Sequence, residues 1–428
     1  MAKIGWQRRR VATGLGVSAL LGSLTVVSVN PATAAFPGRN GPILCSSSRT
    51  GDSEIFSFNP DGSNPRNLTN HPAADLEATM SPDGTRIAFT STRAGDQDIW
   101  IMYQDGSGLR QLTFTPGEDR PGTFSPDGTR LAFQSARFLA PAGPGHSSLE
   151  IFTMRIDGTD VRRMTNNNFQ DSFAHWSPNG DRIAFTTNRD SFVPPGGTLV
   201  SNFEVYTMVP VDANNDGNAD VQTNVTNTPG EDAHGHWSPD GSRITFHSRR
   251  DFLPSPTGFQ IEIYRMNANG SNPVRLTGPD NEFDAFPSWS PDGQRIVWSH
   301  FFPSEGFTMS AANGSNQFNV TQHVTDDTRC DWSRLLPCTI SGAGDITGTA
   351  GNDVICGSDG NDRIAGLGGN DVIYAGRGDD QVAAGAGNDT VFGGPGVDRI
   401  FGDVGNDILF GDQDNDFIAA GPGADIAS

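Results

Sequence analysis

The chain has 428 residues, 35% of them hydrophobic, and carries a net charge of −21 at pH 7. This charge and a single lysine, Lys3, argue against a nucleic-acid partner, since phosphate binding needs a basic face. Abundant Gly and Pro without long helical patterns predict an all-β chain. Large apolar residues recur at regular intervals up to residue 330, which excludes a disordered chain.

The first 34 residues have the features of a secretory signal peptide. Arg8, Arg9 and Arg10 precede an apolar run from Val11 to Val29, and small residues at 32–34 form a cleavage pattern. No later stretch reaches the roughly 18 consecutive apolar residues of a membrane helix. We therefore predict a signal peptide over 1–34, no membrane span, and a protein that is secreted, extracellular or associated with the cell surface.

A long repeat occupies residues 41–333. The turn sequence SPDG, or SPNG once, occurs at 81–84, 125–128, 177–180, 238–241 and 290–293. An apolar triplet follows each turn, at 87–89, 131–133, 183–185, 244–246 and 296–298, and alternates as a half-buried strand does. The spacing leaves room for about four short strands per repeat, which is the size of a propeller blade.

The repeats end in an apolar residue and Thr, and six such endings accompany only five turns. The ends of the array explain the difference. Residues 43–45 resemble a triplet whose first strand is missing, while residues 331–333 resemble a first strand without successors. Joined, the two halves complete a sixth blade and leave no open sheet edge.

The SPDG turns and the DG…LT endings resemble those of the TolB-type, WD-repeat-like propeller family. The resemblance implies a six-bladed β-propeller over residues 35–336 and a habit of binding other proteins. It implies no reaction, because propellers host many unrelated activities.

A second repeat runs in strict nines from Gly348. The sixth place is Asp in all nine copies: Asp353, Asp362, Asp371, Asp380, Asp389, Asp398, Asp407, Asp416 and Asp425. The eighth place is aliphatic in eight copies, from Ile355 to Ile418. The pattern resembles the RTX, haemolysin-type calcium repeat.

This resemblance implies a parallel β-roll over residues 348–428, reached through a linker at 337–347. In the family two nonapeptides make one turn, so the sixth-place aspartates two repeats apart share one calcium ion, and seven ions are possible here. Glycines at the first, second and fourth places allow the sharp bends that expose backbone carbonyls. Because 14 aspartates face only three arginines in this segment, we expect folding to depend on the metal.

Two weaker metal sites are candidates. Asp212, Asn214, Asp216 and Asp220 place oxygens around Gly217 as in an extracellular calcium loop, although a solvated polar turn explains them equally well. His175, His234 and His236 precede or flank tryptophans in adjacent blades. They are candidates for a transition-metal site, against the alternative of polar residues around a central channel.

Charged residues recur once per blade. One set of acids begins the innermost strands: Asp75, Asp119, Asp171, Asp232, Asp284 and Asp327. Five arginines follow the same period: Arg49, Arg93, Arg137, Arg189 and Arg250, with Phe302 in the sixth place. A second set of acids precedes the outer aromatics: Glu54, Asp98, Glu150, Glu204, Glu262 and Glu305. We interpret all three sets as architectural, with Asp–Arg pairs that fix neighbouring blades.

Four cysteines in an exported chain suggest two disulfides, with three possible pairings. Cys45 and Cys330 lie on the two half-blades that must meet. Cys338 and Cys356 are 18 residues apart, which is one turn of the predicted roll. These positions favour the pairings 45–330 and 338–356.

The leading hypothesis is a secreted, monomeric calcium-binding protein whose propeller binds an extracellular protein or a glycan. The alternative is a metal-assisted lyase or hydrolase that acts on polysaccharide through the propeller channel and uses His175, His234 and His236. No GxSxG or HExxH motif is present to support an appended peptidase or esterase.

Overall fold

The computed structural model describes residues 39–137, 149–191, 202–212, 216–219, 221–251, 260–278, 283–323, 326–336 and 338–427. These residues form strands and turns without α-helices, as predicted for an all-β chain. None of them forms a helix long and apolar enough to cross a membrane. The signal peptide predicted at 1–34 lies outside the described residues.

Six four-stranded antiparallel sheets form the propeller. Blade I consists of β1 (Arg39–Ser47), β2 (Glu54–Phe58), β3 (Arg66–Asn67) and β24 (Asp327–Leu335); blade II of β4 (Asp75–Met80), β5 (Arg86–Ser91), β6 (Asp98–Tyr103) and β7 (Arg110–Gln111); blade III of β8 (Asp119–Phe124), β9 (Arg130–Ser135), β10 (Glu150–Arg155) and β11 (Arg162–Arg163); blade IV of β12 (Asp171–Trp176), β13 (Ile183–Thr187), β14 (Glu204–Met208) and β15 (Gln222–Asn224); blade V of β16 (Asp232–Trp237), β17 (Arg243–Ser248), β18 (Glu262–Asn267) and β19 (Val274–Arg275); and blade VI of β20 (Phe283–Trp289), β21 (Arg295–Phe301), β22 (Glu305–Ser310) and β23 (Phe318–Asn319). The predicted six-bladed architecture is confirmed.

Blade I closes the ring by joining the two ends of the propeller sequence. Strand β24 pairs antiparallel with β1, with Ile43 opposite Trp332. A disulfide between Cys45 and Cys330 crosses the same pair of strands. The split blade and this cysteine pairing are therefore confirmed, as is the second disulfide, Cys338–Cys356.

The apolar triplets are buried on both faces because each blade is sandwiched between two others. In β5, Ile87 and Phe89 pack with Leu44 of blade I, whereas Ala88 between them packs with Phe133 of blade III. Side chains alternate between the faces of a strand, so one triplet supplies two interfaces. The propeller core is thus a series of clusters between neighbouring blades.

The roll is built from two parallel sheets. One contains β25 (Ile340–Ser341), β27 (Val354–Cys356), β29 (Val372–Tyr374), β31 (Thr390–Pro395), β33 (Ile408–Gln413) and β35 (Ile426–Ala427); the other contains β26 (Asp345–Thr347), β28 (Arg363–Ala365), β30 (Gln381–Ala383), β32 (Arg399–Phe401) and β34 (Phe417–Ala419). Paired residues are 18 apart, as in Val354 with Val372, so two nonapeptides make one turn. The eighth-place aliphatics form the core.

The roll begins earlier than the strict nines. Strands β25 and β26 lie in the segment predicted as a linker, and Ile346 pairs in register with Ile364. They form an irregular first layer that covers one end of the core. At one face of the roll, Tyr374, Phe392 and Phe410 stack with ring centroids 5.1 Å apart and pack against Tyr103 and Leu335 of the propeller.

Candidate functional site

The sixth-place aspartates form two columns along the roll. In each predicted pair, the backbone N–H of one Asp donates to Oδ1 of the Asp 18 residues later, at 2.8–3.0 Å. All seven pairs have this bond: 353–371, 362–380, 371–389, 380–398, 389–407, 398–416 and 407–425. The structure thus brings together the residues that the sequence paired.

The second carboxylate oxygen, Oδ2, lacks a hydrogen-bond partner in the middle of each column of the described roll. Within the described residues, five buried Oδ2 atoms accept no hydrogen bond, those of Asp371, Asp380, Asp389, Asp398 and Asp407. Burial raises the pKa of Asp380, Asp389 and Asp398 to about 6, and repulsion from carboxylates one coil away adds to the effect. A buried carboxylate with an unpaired oxygen is costly unless a cation compensates it.

Backbone oxygens approach the same atoms. A Cβ at Gly366 would lie 2.6 Å from Oδ2 of Asp371 and would also clash with the carbonyl oxygen of Ala384 on the next coil. At this position glycine leaves the space that both oxygens face free of side-chain atoms. Among the described residues no three His, Cys, Asp or Glu side chains converge, so a cation here requires backbone carbonyls as well. Carboxylate and carbonyl oxygens are the ligands that calcium prefers, and the residues therefore fit this ion.

The predicted Asp–Arg pairing is confirmed in five blades, but the expectation that the pairs fix neighbouring blades is wrong, because the two partners of each pair belong to the same blade. The pairs are Arg49–Asp327, Arg93–Asp75, Arg137–Asp119, Arg189–Asp171 and Arg250–Asp232, at 2.7–3.2 Å. Each guanidinium also lies over aromatic rings of its blade, as Arg93 does over Trp100. In blade VI, where Phe302 replaces the arginine, His300 and Trp298 both contact Asp284.

The second set of acids is architectural as well. Oε1 of Glu54 accepts the N–H of His71, and Oε2 accepts the hydroxyl of Thr69. Glu262 accepts the hydroxyl of Thr277 at 2.6 Å in the same way. The Thr of the apolar-Thr ending donates to the acid of the preceding strand in four blades, through Thr69, Thr113, Thr226 and Thr277. In blade VI the Thr321 hydroxyl donates to Asn319 instead, and the Asn319 side chain donates to Glu305.

A β-bulge in each inner strand shapes the central channel. Five residues of these strands, each two positions after the inner Asp, have positive φ, between 53° and 57°: Glu77, Phe173, His234, Phe286 and Arg329. Ladder pairing shifts next to them, as between Ser172 and His175. Of these five residues the sequence analysis singled out only His234. The signal for the others was their position two residues after the inner Asp, which Pro121 occupies in blade III without a positive φ. Bulky residues at positive φ are strained and concentrate at functional sites.

The channel enclosed by these strands is narrow, with a cavity volume of about 90 Å³. At one level, the charged pair Glu77–Arg329, joined by Arg120, lies beside Phe173 and Phe286. The Arg329 guanidinium lies over the Phe286 ring, 5.2 Å from its centroid. Two residues further along the strands that carry Phe286 and Arg329, the Ser288 hydroxyl donates to Asp331 at 2.6 Å. The channel is therefore lined by both aromatic and charged side chains.

The three candidate histidines line this channel but separate into two environments. His175 and His236 have ring centroids 4.7 Å apart, whereas His234 stacks on Phe173 with centroids 3.5 Å apart. Burial lowers the pKa of all three imidazoles, that of His175 and His234 well below the usual value. The described residues contain no cluster that could hold a metal through these side chains.

The candidate calcium loop is only partly described, since Asn214 and Asp220 lie outside the described residues. The Asp212 carboxylate accepts the N–H groups of Asp216 and Gly217, at 3.1 and 2.8 Å. Such bonds close a tight polar turn. Calcium binding by this loop stays a prediction.

Together, these features define a six-bladed TolB-like propeller followed by a roll of calcium-binding repeats. The TolB beta propeller domain family matches residues 23–137. The RTX calcium-binding nonapeptide repeat matches residues 340–364, 357–391 and 392–427. RTX nonapeptides are a calcium-binding, typically extracellular type of repeat, so the chain carries both elements that its sequence indicated.

Individual relatives match parts of the chain. An uncharacterized protein of Agrobacterium fabrum, Atu1656, is 31% identical over 150 residues, which are 35% of this chain and 42% of that protein, so less than two thirds of the relative is spanned.

Among solved structures, TolB from Acinetobacter baumannii aligns with a TM-score of 0.53 and 22% identity over 69% of this chain and 67% of its own. Hydrazine synthase from Kuenenia stuttgartiensis aligns with a TM-score of 0.55 and 15% sequence identity, over 71% of this chain and 48% of the synthase chain. At these identities the likeness shows the fold alone.

Proposed function

We propose that the protein is secreted, that its roll binds calcium between successive coils, and that its propeller binds an extracellular protein or a glycan in the central channel. The observation that carries the calcium proposal is the set of five buried Oδ2 atoms without a partner in the described part of the chain. Calcium would neutralise the negative charge of these carboxylates and bind their unpartnered oxygens. The nine sixth-place aspartates, Asp353 to Asp425, and backbone carbonyls of the loops beside them would hold it.

Limited trypsin digestion tests the calcium proposal in the full chain. The roll has no lysine and only three arginines, so Arg377 and Arg399 report on its coils. Without calcium the aspartate columns repel and the thin core cannot offset chain entropy, so chelator should expose both bonds to cleavage. Millimolar calcium should protect both, while the propeller resists trypsin under both conditions. Identical digestion with and without calcium contradicts the proposal.

The propeller proposal is supported by the five strained residues that converge on one channel. Aromatic and charged side chains lining one channel suit a ligand with both apolar and polar groups, as an extended peptide or a sugar chain has. Secretion is supported by the N-terminal signal pattern and by the RTX repeats.

Arrays of synthetic peptides and glycans would test binding in the channel. Phe173→Ala and Arg329→Ala should abolish the signal of any ligand that the wild type binds. Phe114→Ala is the matched control, because Phe114 is 74% exposed and lies outside the channel. Equal binding by all four proteins would show that the ligand lies elsewhere.

The alternative, a metal-assisted lyase or hydrolase of polysaccharide, has less support. It requires His175, His234 and His236 to share one metal, yet His234 contacts Phe173 and Phe286 instead. Metal-dependent cleavage of a polysaccharide that is lost in His175→Ala and His236→Ala would favour it.

A further inference from the structure

The first full coil of the roll differs from those that follow. In its two loops the second place carries a hydroxyl residue, Thr349 or Ser358. Thr349 donates its N–H and its hydroxyl to Oδ2 of Asp353, at 2.7 and 2.8 Å. Ser358 donates the same two groups to Oδ2 of Asp362, at 2.6 and 3.0 Å. The two aspartates of this coil therefore have the partners that the later ones lack.

The later loops have another backbone conformation. Their second-place residues all have positive φ: Leu367, Gly376, Gly385, Gly394, Asp403, Asp412 and Gly421. Thr349 and Ser358 are not among the positive-φ residues. The positive φ at the second place and the unpartnered Oδ2 atoms begin in the same repeat. Within the described residues, Asp371 is the first sixth-place aspartate whose buried Oδ2 accepts no hydrogen bond.

The irregular layer before Gly348 completes the first coil. The Thr339 hydroxyl lies 3.4 Å from Oδ1 of Asp353 and accepts the N–H of Val354 at 2.9 Å. The N–H of Gly344 donates to Oδ1 of Asp362. The Cys338–Cys356 disulfide ties this layer to the coil, and Leu335 and Leu336 lead directly into it from the propeller. Both carboxylates are thus fully bonded by the protein itself.

We propose that residues 339–365 fold without calcium, with the N–H and hydroxyl groups of Thr349 and Ser358 in place of the cation, and that this coil templates the calcium-dependent coils that follow. The inference rests on the proposed calcium function and deepens it. It reduces the seven possible ions to five, at the pairs 371–389, 380–398, 389–407, 398–416 and 407–425. The roll then assembles in one direction, away from the propeller.

Hydrogen exchange of the full-length protein, read by mass spectrometry in EDTA and in calcium, tests the proposal. In EDTA the amides of 339–365 should stay protected while those of 366–427 exchange freely. The double variant Thr349→Val, Ser358→Ala removes both hydroxyls and should speed exchange in 339–365 about a hundredfold in EDTA, since each of the two lost bonds goes to a charged group. Thr347→Val, at an exposed strand position in the same layer, should leave it unchanged.

The outcomes separate this inference from the function on which it rests. Loss of protection across all of 339–427 in EDTA, with recovery in calcium, overturns the inference and leaves calcium binding intact. Equal hydrogen exchange of the whole roll in EDTA and in calcium overturns both the inference and the proposed calcium binding. Calorimetric titration adds a second readout: five ions per chain support the proposal, and seven contradict it.

Discussion

The N–H of Asp371 donates a 2.8 Å hydrogen bond to Oδ1 of Asp389, the corresponding residue one coil later. The same bond joins Asp389 to Asp407. Each carboxylate thus uses one oxygen to hold the preceding coil in register and keeps the other for a cation. Assembly of the coils and calcium uptake are linked through a single side chain.

Asp389→Asn should therefore weaken calcium binding more than Asp425→Asn. An Asn side chain can still accept the N–H of Asp371 through its carbonyl, but it lacks the charge that attracts the ion. Asp389 belongs to two predicted ion sites and Asp425 to one, so calorimetry should show two ions lost in the first variant and one in the second. Wild-type stoichiometry in both variants would contradict the assignment.

The Cys45–Cys330 bond should contribute strongly to propeller stability, because it closes a loop of 285 residues in the unfolded chain. Replacing both cysteines by Ser should lower the free energy of unfolding by ~2 to 4 kcal/mol, measured by denaturant titration in oxidising buffer. With reducing agent present, wild type and variant should become equal. A difference that persists after reduction would assign the effect to packing of the side chains instead.

Arg93→Ala should destabilise the propeller by ~3 to 5 kcal/mol, because it leaves the carboxylate of Asp75 buried without its partner. Burial already raises the pKa of Asp75 even with Arg93 present. Adding Asp75→Asn to the variant should recover part of the loss. Arg162→Ala is the control, since the exposed Arg162–Asp160 pair should contribute little. Equal effects of Arg93→Ala and Arg162→Ala would refute a structural role for the ring.

Glu204 should make propeller stability depend on pH. Burial, with repulsion from Asp232, raises the pKa of Glu204 to about 7, against 4.5 as its usual value. The folded state therefore binds the proton of Glu204 more tightly than the unfolded state does. The contribution of Glu204 to stability is fully present below about pH 4.5 and is lost as the pH rises through 7. Glu204→Gln should flatten this dependence and be the more stable protein above pH 7. Parallel pH slopes in urea titrations would contradict it.

Local periodicity was sufficient to predict the architecture. The alternation of Ile87, Ala88 and Phe89 specifies a strand buried on both sides, and turns at fixed spacing specify the blade. The aspartates of the nonapeptides could be paired only through the family resemblance, which implies two repeats per turn. The cysteine pairing followed because two incomplete half-blades can bury their edges only against each other.

Other features were decided by contacts between residues far apart in the sequence. Tyr374 of the roll donates to the carbonyl of Asp83, 291 positions away, in packing that no period in either repeat encodes. His300 replaces a missing arginine because the fold places its ring beside Asp284. The bulge at Phe173 arises where its N–H donates to the side chain of Gln134 in the preceding blade. Sequence determined the repeated units, since turns and alternation act over a few residues; the channel, the capped first coil and the docking of the roll required the folded ring.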